Sequence, residues 1–208
     1  MSKRTGNLFM KFIGITQRIL ENQSYFELRE CLSLEWGEFF DKNLQDFLPL
    51  PLSYEIDFKK YIPFLNAVIL SGGNDLYALN KNELSKKRDE YEKNIINYCI
   101  NNDLPLLGIC RGAQMIASFF NSTLSKCQNH VQNHDIFLNE KIINVNSFHN
   151  FTIDKLGNEL EVLAKAKDNT IEAFKHKNLN IYGIMWHIER INGLNEKEIF
   201  NQFLGSIK

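Results

Sequence analysis

The sequence predicts an α/β fold, a doubly wound and mostly parallel sheet with helices on both faces. Three observations lead there. Short apolar runs of four to six residues end in polar or glycine-containing turns, stretches with helical spacing lie between many of them, and the runs are apolar on both faces. A strand that is apolar on both faces has to be covered on both, which is the situation of a parallel sheet between two helix layers. Alternation of strand and helix then gives the doubly wound arrangement.

In chain order, the first strand is expected at Phe12-Ile13-Gly14-Ile15. Leu28, Leu32, Trp36 and Phe39 recur at three- and four-residue steps, the spacing of an amphipathic helix. A second strand is expected at Ala67-Val68-Ile69-Leu70, and a helix carrying Tyr91, Ile95 and Cys99 follows it. Leu106-Leu107-Gly108-Ile109 reads as a buried strand running into the helical stretch Ala113 to Phe120. Ile142-Ile143-Asn144-Val145 and Ile181-Tyr182-Gly183-Ile184-Met185-Trp186 supply two further strands. The last segment is a helix with Asn195 as its expected N-cap and Ile199, Phe203, Leu204 and Ile207 facing inward.

The chain has 208 residues, 44% of them hydrophobic, with 24 basic against 25 acidic side chains. That length suits one α/β domain over residues 1–208. A net charge of −1 gives no clustered positive excess for nucleic acid or an anionic membrane, so neither is expected as a partner. The four cysteines, Cys31, Cys99, Cys110 and Cys127, are scattered and form no C-x-x-C pair, which suits a reducing compartment. Met1 to Met10 carries Lys3 and Arg4 without a leader-like apolar run, so a cytoplasmic location is expected. The sequence leaves a homo-oligomer open.

In a doubly wound sheet, ligands bind beyond the carboxyl ends of the strands. The residues that follow the apolar runs are Thr16-Gln17-Arg18, Ser71-Gly72-Gly73-Asn74-Asp75, Cys110-Arg111-Gly112, Asn146-Ser147-Phe148-His149 and His187-Ile188-Glu189. Gly108-Ile109-Cys110-Arg111-Gly112 has the form in which a sharp strand-to-helix turn holds a nucleophile proud of the sheet. A helix N-terminus behind a cysteine favours thiolate over thiol. In an extended segment His187 and Glu189 point to one side, so the carboxylate can hold the imidazole for the thiol, as in a triad. Ser71-Gly72-Gly73 can present backbone N–H groups without Cβ obstruction and, with the N–H of Arg111, suits an oxyanion hole.

Taken together in that order, Ser71-Gly72-Gly73-Asn74-Asp75, Gly108-Ile109-Cys110-Arg111-Gly112-Ala113-Gln114, Val145-Asn146-Ser147-Phe148-His149 and Gly183-Ile184-Met185-Trp186-His187-Ile188-Glu189 resemble the class I glutamine amidotransferases. The likeness runs from about Lys11 to Glu189 and is nearest to the stand-alone γ-glutamyl hydrolase branch. Gly14 to Arg18 and the helix carrying Arg88, Asp89 and Glu92 also resemble that branch. The resemblance implies a flavodoxin-like sheet, a Cys110–His187–Glu189 triad, an oxyanion hole from Gly73 and Arg111, and substrate contacts from Gln114 and from Ser147, Phe148 and His149. It implies attack of the thiol on a γ-glutamyl amide, a thioester, and release of glutamate.

Ile188 stands where ordinary members have Pro, Asn150-Phe151 replaces a second His and a Gln, and Ser118 replaces a frequent Asn. These departures leave the triad intact and bear on the leaving group. Within the branch, the resemblance is greatest to enzymes that cleave γ-glutamyl-CDP to glutamate and cytidine diphosphoramidate for capsule modification. A diphosphate would call for cations near the thiol, and Arg18 and Arg111 are the candidates. The expected partner is therefore a small γ-glutamyl conjugate, nucleotide-linked on this reading.

The alternatives are a γ-glutamyl-γ-aminobutyrate-type hydrolase, a glutaminase component feeding ammonia to a separate synthetase, and a non-catalytic cysteine sensor on the same scaffold. The pairing of His187 with Glu189 weighs against the last. Cys127, His130 and His134, with Asp135, have spacings that could suit zinc, but close donors in a polar loop are more often solvated. No metal and no cofactor are expected from the sequence.

Overall fold

A computed structural model describes residues 10–127 and 130–208. The first nine residues, which include Lys3 and Arg4, lie outside the described residues. The chain runs through β1 (Lys11–Thr16), β2 (Arg18–Glu21), β3 (Leu28–Cys31), α1 (Leu34–Asn43) and β4 (Phe47–Leu52), then β5 (Leu65–Leu70), α2 (Glu83–Asn102), β6 (Leu106–Ile109) and α3 (Arg111–Phe119). Six short strands follow, β7 (Thr123–Lys126), β8 (His134–Leu138), β9 (Lys141–Val145), β10 (Phe151–Lys155), β11 (Leu160–Ala166) and β12 (Ile171–His176). β13 (Ile181–Ile184) and α4 (Glu198–Gly205) close the chain.

Five parallel strands in the order β4-β1-β5-β6-β13 form the wound part of the sheet. Counted along that part alone, this is the 2-1-3-4-5 order of flavodoxin-like folds, whose crevice opens between the first and third strands. Alternate side chains feed the two faces. Ile13, Ile15, Ile69, Ile109 and Ile184 pack under α1 and α4 with Trp36, Phe39, Phe200 and Phe203, while Val68, Leu70, Leu106 and Ile181 pack under α2 and α3 with Ile95, Ile96 and Ile116. Burying each such aliphatic side chain stabilises by roughly 1.5–3 kcal/mol. The predicted layering on both faces is the layering observed.

From β13 the sheet continues antiparallel through β12, β11, β8 and β9, with β10 and β7 attached beside β12. The run Ile142 to Val145 belongs here, in the edge strand β9, and not to the parallel set; Ile142 is 63% exposed. Leu28 is in β3, paired with β2 in a separate ribbon, because the helix starts only where Ser33 Oγ accepts from the Glu35 N–H at 3.2 Å. Of the predicted helix, Trp36 and Phe39 therefore remain in α1. At the other end, Glu196 caps α4 by accepting from the Glu198 and Ile199 N–H groups. Asn195, the expected cap, instead donates to the Asn144 carbonyl at 3.0 Å. Among the described residues no helix is long and apolar enough to cross a membrane.

Candidate active site

Cys110 connects β6 to α3 with φ 52° and ψ −105°, a strained conformation for a residue with a side chain. The glycines beside it make the turn fit. A Cβ on Gly108 would come within 2.5 Å of the Gly112 carbonyl carbon, and one on Gly112 within 2.0 Å of the Leu70 oxygen. The Cys110 N–H donates to the Ile184 carbonyl at 2.8 Å, so the turn is fastened to β13, the strand that delivers His187.

His187 follows Trp186, whose fully buried indole N–H donates to the Gly193 carbonyl at 3.1 Å. His187 Nδ1 lies 2.7 Å from Glu189 Oε1, which leaves Nε2 for the thiol. Burial pulls the His187 proton affinity down, but Cys110 and the Glu189 carboxylate outweigh it and push the imidazole up to about 10. Burial pushes the Cys99 thiol up strongly and, reinforced by Glu172, the Cys127 thiol up to about 11.

Gly73 has φ +81° and Gly72 lies against the imidazole, where a Cβ would meet His187 Cε1 at 2.8 Å. The carbonyls of this loop are turned inward onto Arg88. Its guanidinium donates to the Ser71 carbonyl at 2.7 Å and to those of Gly72 and Gly73 at 3.0 Å each. Arg111 is the first residue of α3, so its N–H has no intrahelical acceptor.

A cavity of about 430 Å³ opens over the thiol and is bordered by Arg18, Gly73, Cys110, Arg111, Gln114, Phe148, His149, His187 and Arg190 among others. A neighbouring cavity of about 260 Å³ shares Arg18, Gly73, His187 and Arg190 with it. A larger one, about 620 Å³ between Tyr54, Phe58 and Tyr98, contains none of the predicted site residues.

The structure thus brings Cys110, His187, Glu189, Gly73, Arg111, Gln114, Phe148, His149 and Arg18 to one place. Ser147 is not among them: it is fully buried and its hydroxyl donates to the His130 carbonyl at 2.6 Å. The Arg111 guanidinium is also unavailable as a grip for a diphosphate. It is buried against Asp89 and Glu92, and Glu92 in turn pairs with Arg88 at 2.9 Å. The His149 ring faces the Phe151 carbonyl and Glu172 and so offers the cavity no free nitrogen. Gln114 donates from Nε2 to the Phe151 carbonyl at 2.9 Å.

Two further residues have no role assigned from the sequence. Arg190 stacks over Phe148, 4.5 Å from its centroid, and borders both cavities. Asn146, which the sequence marks only as part of the run Val145 to His149, ties down the His187 backbone. The partners of both are distant in the chain.

A family model described as glutamine amidotransferase class-I matches residues 56–207. The chain is 60% identical over 198 residues to the gamma-glutamyl-CDP-amidate hydrolase of Campylobacter jejuni subsp. jejuni serotype O:2, covering 95% of this chain and 99% of that protein. It is 28% identical to the glutamine-hydrolyzing GMP synthase component of Methanocaldococcus jannaschii, over 89% of this chain and 94% of that one. The solved structure of a glutamine amidotransferase from Thermotoga maritima superposes with a TM-score of 0.65 at 17% identity, covering 94% of this chain and 84% of that one, which is a likeness of fold.

Proposed function

This chain belongs to the class I glutamine amidotransferase family, and on that premise we propose that it hydrolyses γ-glutamyl-CDP to glutamate and cytidine diphosphoramidate through a thioester on Cys110. The observation that carries the reaction type is the placing of a strained, cavity-facing thiol against an imidazole that is itself held by Glu189. The relative that is 60% identical from end to end supports the choice of substrate.

In the acylation step the Cys110 sulfur attacks the γ-carbonyl carbon, and its proton resides on His187. The oxyanion that forms lies against the N–H groups of Gly73 and Arg111, whose loop and helix are held in place before the substrate arrives. Collapse breaks the carbon–nitrogen bond, and His187 gives its proton to the departing phosphoramidate nitrogen. Water, deprotonated by His187, then attacks the thioester, frees glutamate and restores the thiol. Glu189 orients the imidazole and balances its charge in both steps. Gln114, Arg18 and Arg190 line the same cavity; on this reading Gln114 serves the glutamyl group and the two guanidinium groups serve the diphosphate.

The test is glutamate release from γ-glutamyl-CDP, γ-glutamyl-γ-aminobutyrate and glutamine, with ³¹P NMR detection of cytidine diphosphoramidate from the first. Preference for γ-glutamyl-CDP, abolished in Cys110→Ala, is expected. Turnover of the aminobutyrate conjugate with none of γ-glutamyl-CDP overturns the substrate. Glutamine turnover alone, and only beside a synthetase, would favour the ammonia-supplying reading that the similarity to the GMP synthase component raises.

A further inference from the structure

Glu172 is fully buried in β12, and neither carboxylate oxygen makes a hydrogen bond of proper geometry among the described residues. A carboxylate in such a place is strongly disfavoured unless a cation or several donors neutralise it. Three imidazoles converge on it. His130 Nδ1 lies 3.2 Å from Oε1, His134 Nε2 3.5 Å from Oε2, and His149 Nε2 3.7 Å from Oε1. Each of those nitrogens is itself buried and lacks a hydrogen bond among the described residues. The four side chains come from β8, β12 and the segments before β8 and β10, so the folded chain has to assemble them.

Partners on the far side of two rings show which nitrogens are lone pairs. His149 Nδ1 sits 3.0 Å from the Phe151 carbonyl and donates to it, so in the neutral ring Nε2 is bare. His130 Nε2 is 2.8 Å from Asp168 Oδ2, which leaves Nδ1 bare in the same way. A lone pair aimed at a carboxylate oxygen is repulsive; a cation between them makes ligands of both. A carboxylate behind an imidazole is also the arrangement that orients metal-bound histidines. Glu172 and Asp168 together carry two negative charges, which one divalent ion balances.

We propose that His130, His134 and Glu172 bind one Zn²⁺, with the His149 ring beside it. One ligand atom from each of the three lies within 4.8 Å of the others, and tetrahedral zinc with bonds of roughly 2.0–2.1 Å draws such atoms to about 3.4 Å apart. Two imidazoles and one carboxylate suit zinc, whereas magnesium and calcium take oxygen. Asp135, the carboxylate adjacent in sequence, is exposed and accepts from Asn144 at 2.9 Å; Glu172 takes its place from a distant strand. Cys127 is near, but it sits on the Nδ1 side of His149, the side that faces the Phe151 carbonyl. Three protein ligands leave the fourth position to a water molecule. The ion joins β8 and the segment before it to β12, beside the Phe148 to Phe151 segment that walls the cavity over Cys110. The competing arrangement is a protonated His130, pushed up to about 9 by Glu172 against the effect of burial and helped by Asp168.

The experiment is zinc content by inductively coupled plasma mass spectrometry, on protein purified without chelators or a metal-affinity tag, and again after stripping with dipicolinate and reconstitution with Zn²⁺ alone. About one zinc per chain is expected, retained through gel filtration, with a Tm that rises on reconstitution because the ion binds the folded chain. Glu172→Gln and His134→Ala should lose the zinc, and Cys110→Ala should keep it. If either ligand variant fails to fold, cobalt-substituted wild-type protein replaces it. Tetrahedral d–d absorption without a thiolate charge-transfer band is then expected, and a charge-transfer band would overturn the ligand set by placing Cys127 on the metal. Zinc below about a tenth per chain, both as purified and after reconstitution, overturns the site in favour of protons.

Discussion

Asn146 and His187 are joined by a reciprocal pair of hydrogen bonds: the His187 N–H donates to Asn146 Oδ1 at 2.9 Å, and Asn146 Nδ2 donates back to the His187 carbonyl at 2.9 Å. The same amide donates to the Ile191 carbonyl at 3.0 Å, so one buried side chain fixes the turn that carries the imidazole. Asn146 touches no reacting atom and is a positioning residue. Asn146→Ala is expected to lower kcat by roughly 10- to 100-fold with little change in KM, since small displacements of a catalytic group carry penalties of that order. Stability should fall by about 1–3 kcal/mol from the unpaired backbone groups. Equal loss in kcat and in folded fraction, with unchanged turnover per folded molecule, would reduce Asn146 to a purely structural role.

Gly72 separates the stability of the elbow from its chemistry. Its added Cβ would meet His187 Cε1 at 2.8 Å and Cys110 Cβ at 3.6 Å, with no backbone atom among its nearest neighbours. Gly72→Ala should therefore push the imidazole off the thiol while the chain still folds, lowering kcat by about 100-fold. Gly112→Ala meets the Leu70 carbonyl oxygen at 2.0 Å and should yield little folded protein. Wild-type turnover in Gly72→Ala would show that the imidazole position observed here is not the working one.

These contrasts mark how far the sequence could be read. Cys110, His187, Glu189 and Gly73 were legible because a strand-to-helix elbow, a strand-end His-x-Glu and a two-glycine turn are local patterns with local causes. The five parallel strands were only partly so. β4 carries Pro49 and Pro51, which argue against a strand until the pairing shows it at the sheet edge beside β1, where alternate residues need no ladder donor. The antiparallel strands from β7 to β11 are short and half exposed, so their periodicity is weak. Arg18, a candidate cation from the sequence, lines the cavity, whereas the guanidinium of Arg111, the other candidate, faces Asp89 and Glu92. Glu172 and Arg190 acquire meaning only from partners on other elements, and no spacing along the chain encodes that.

Arg88 and Arg111 balance Asp89 and Glu92 in a buried set of two positive and two negative charges. Glu92 touches both guanidinium groups, so Glu92→Gln leaves an uncompensated positive charge in the core. Urea unfolding should show a loss of about 3–5 kcal/mol. Because Arg88 also holds the Ser71 to Gly73 carbonyls, the surviving folded fraction should show reduced kcat. A loss under about 1 kcal/mol would mean that the ion pairs contribute little beyond what solvent supplies.

His187 links stability to pH. In the folded chain its proton affinity is raised to about 10, against an ordinary value of about 6.5. A group raised on folding contributes stability in full below its unfolded value and loses it as pH rises through the folded one. The Tm advantage of wild type over His187→Gln should therefore be constant below about pH 6.5 and shrink steadily toward pH 10. The Cys110 side chain is one of the causes of that rise. In Cys110→Ala the imidazole midpoint, followed by NMR at Cε1–H, should accordingly fall well below 10. An unchanged midpoint would show that Glu189 alone holds the proton.

Arg18 and Arg190 decide whether the cavity is built for a phosphorylated leaving group. Arg18 is exposed and lies across Gly73, whose Cβ position is 2.8 Å from Arg18 Cδ; Arg190 is half-buried over Phe148, its Nε 3.5 Å from Glu35. Both border the cavity that contains the thiol, and the Arg111 guanidinium, consumed in its ion pairs, cannot substitute for them. A charge-assisted contact to phosphate contributes about 1.5–3 kcal/mol, so each Arg→Ala change should raise KM for γ-glutamyl-CDP by roughly 10- to 100-fold. The same variants should leave the slower turnover of γ-glutamyl-γ-aminobutyrate nearly unchanged, because that leaving group carries no phosphate. Added salt should weaken γ-glutamyl-CDP binding in wild type more than in either variant, since exposed cation–phosphate attraction is screened. Loss of both substrates in parallel would move the two arginines from the leaving group to the glutamyl end of the cavity.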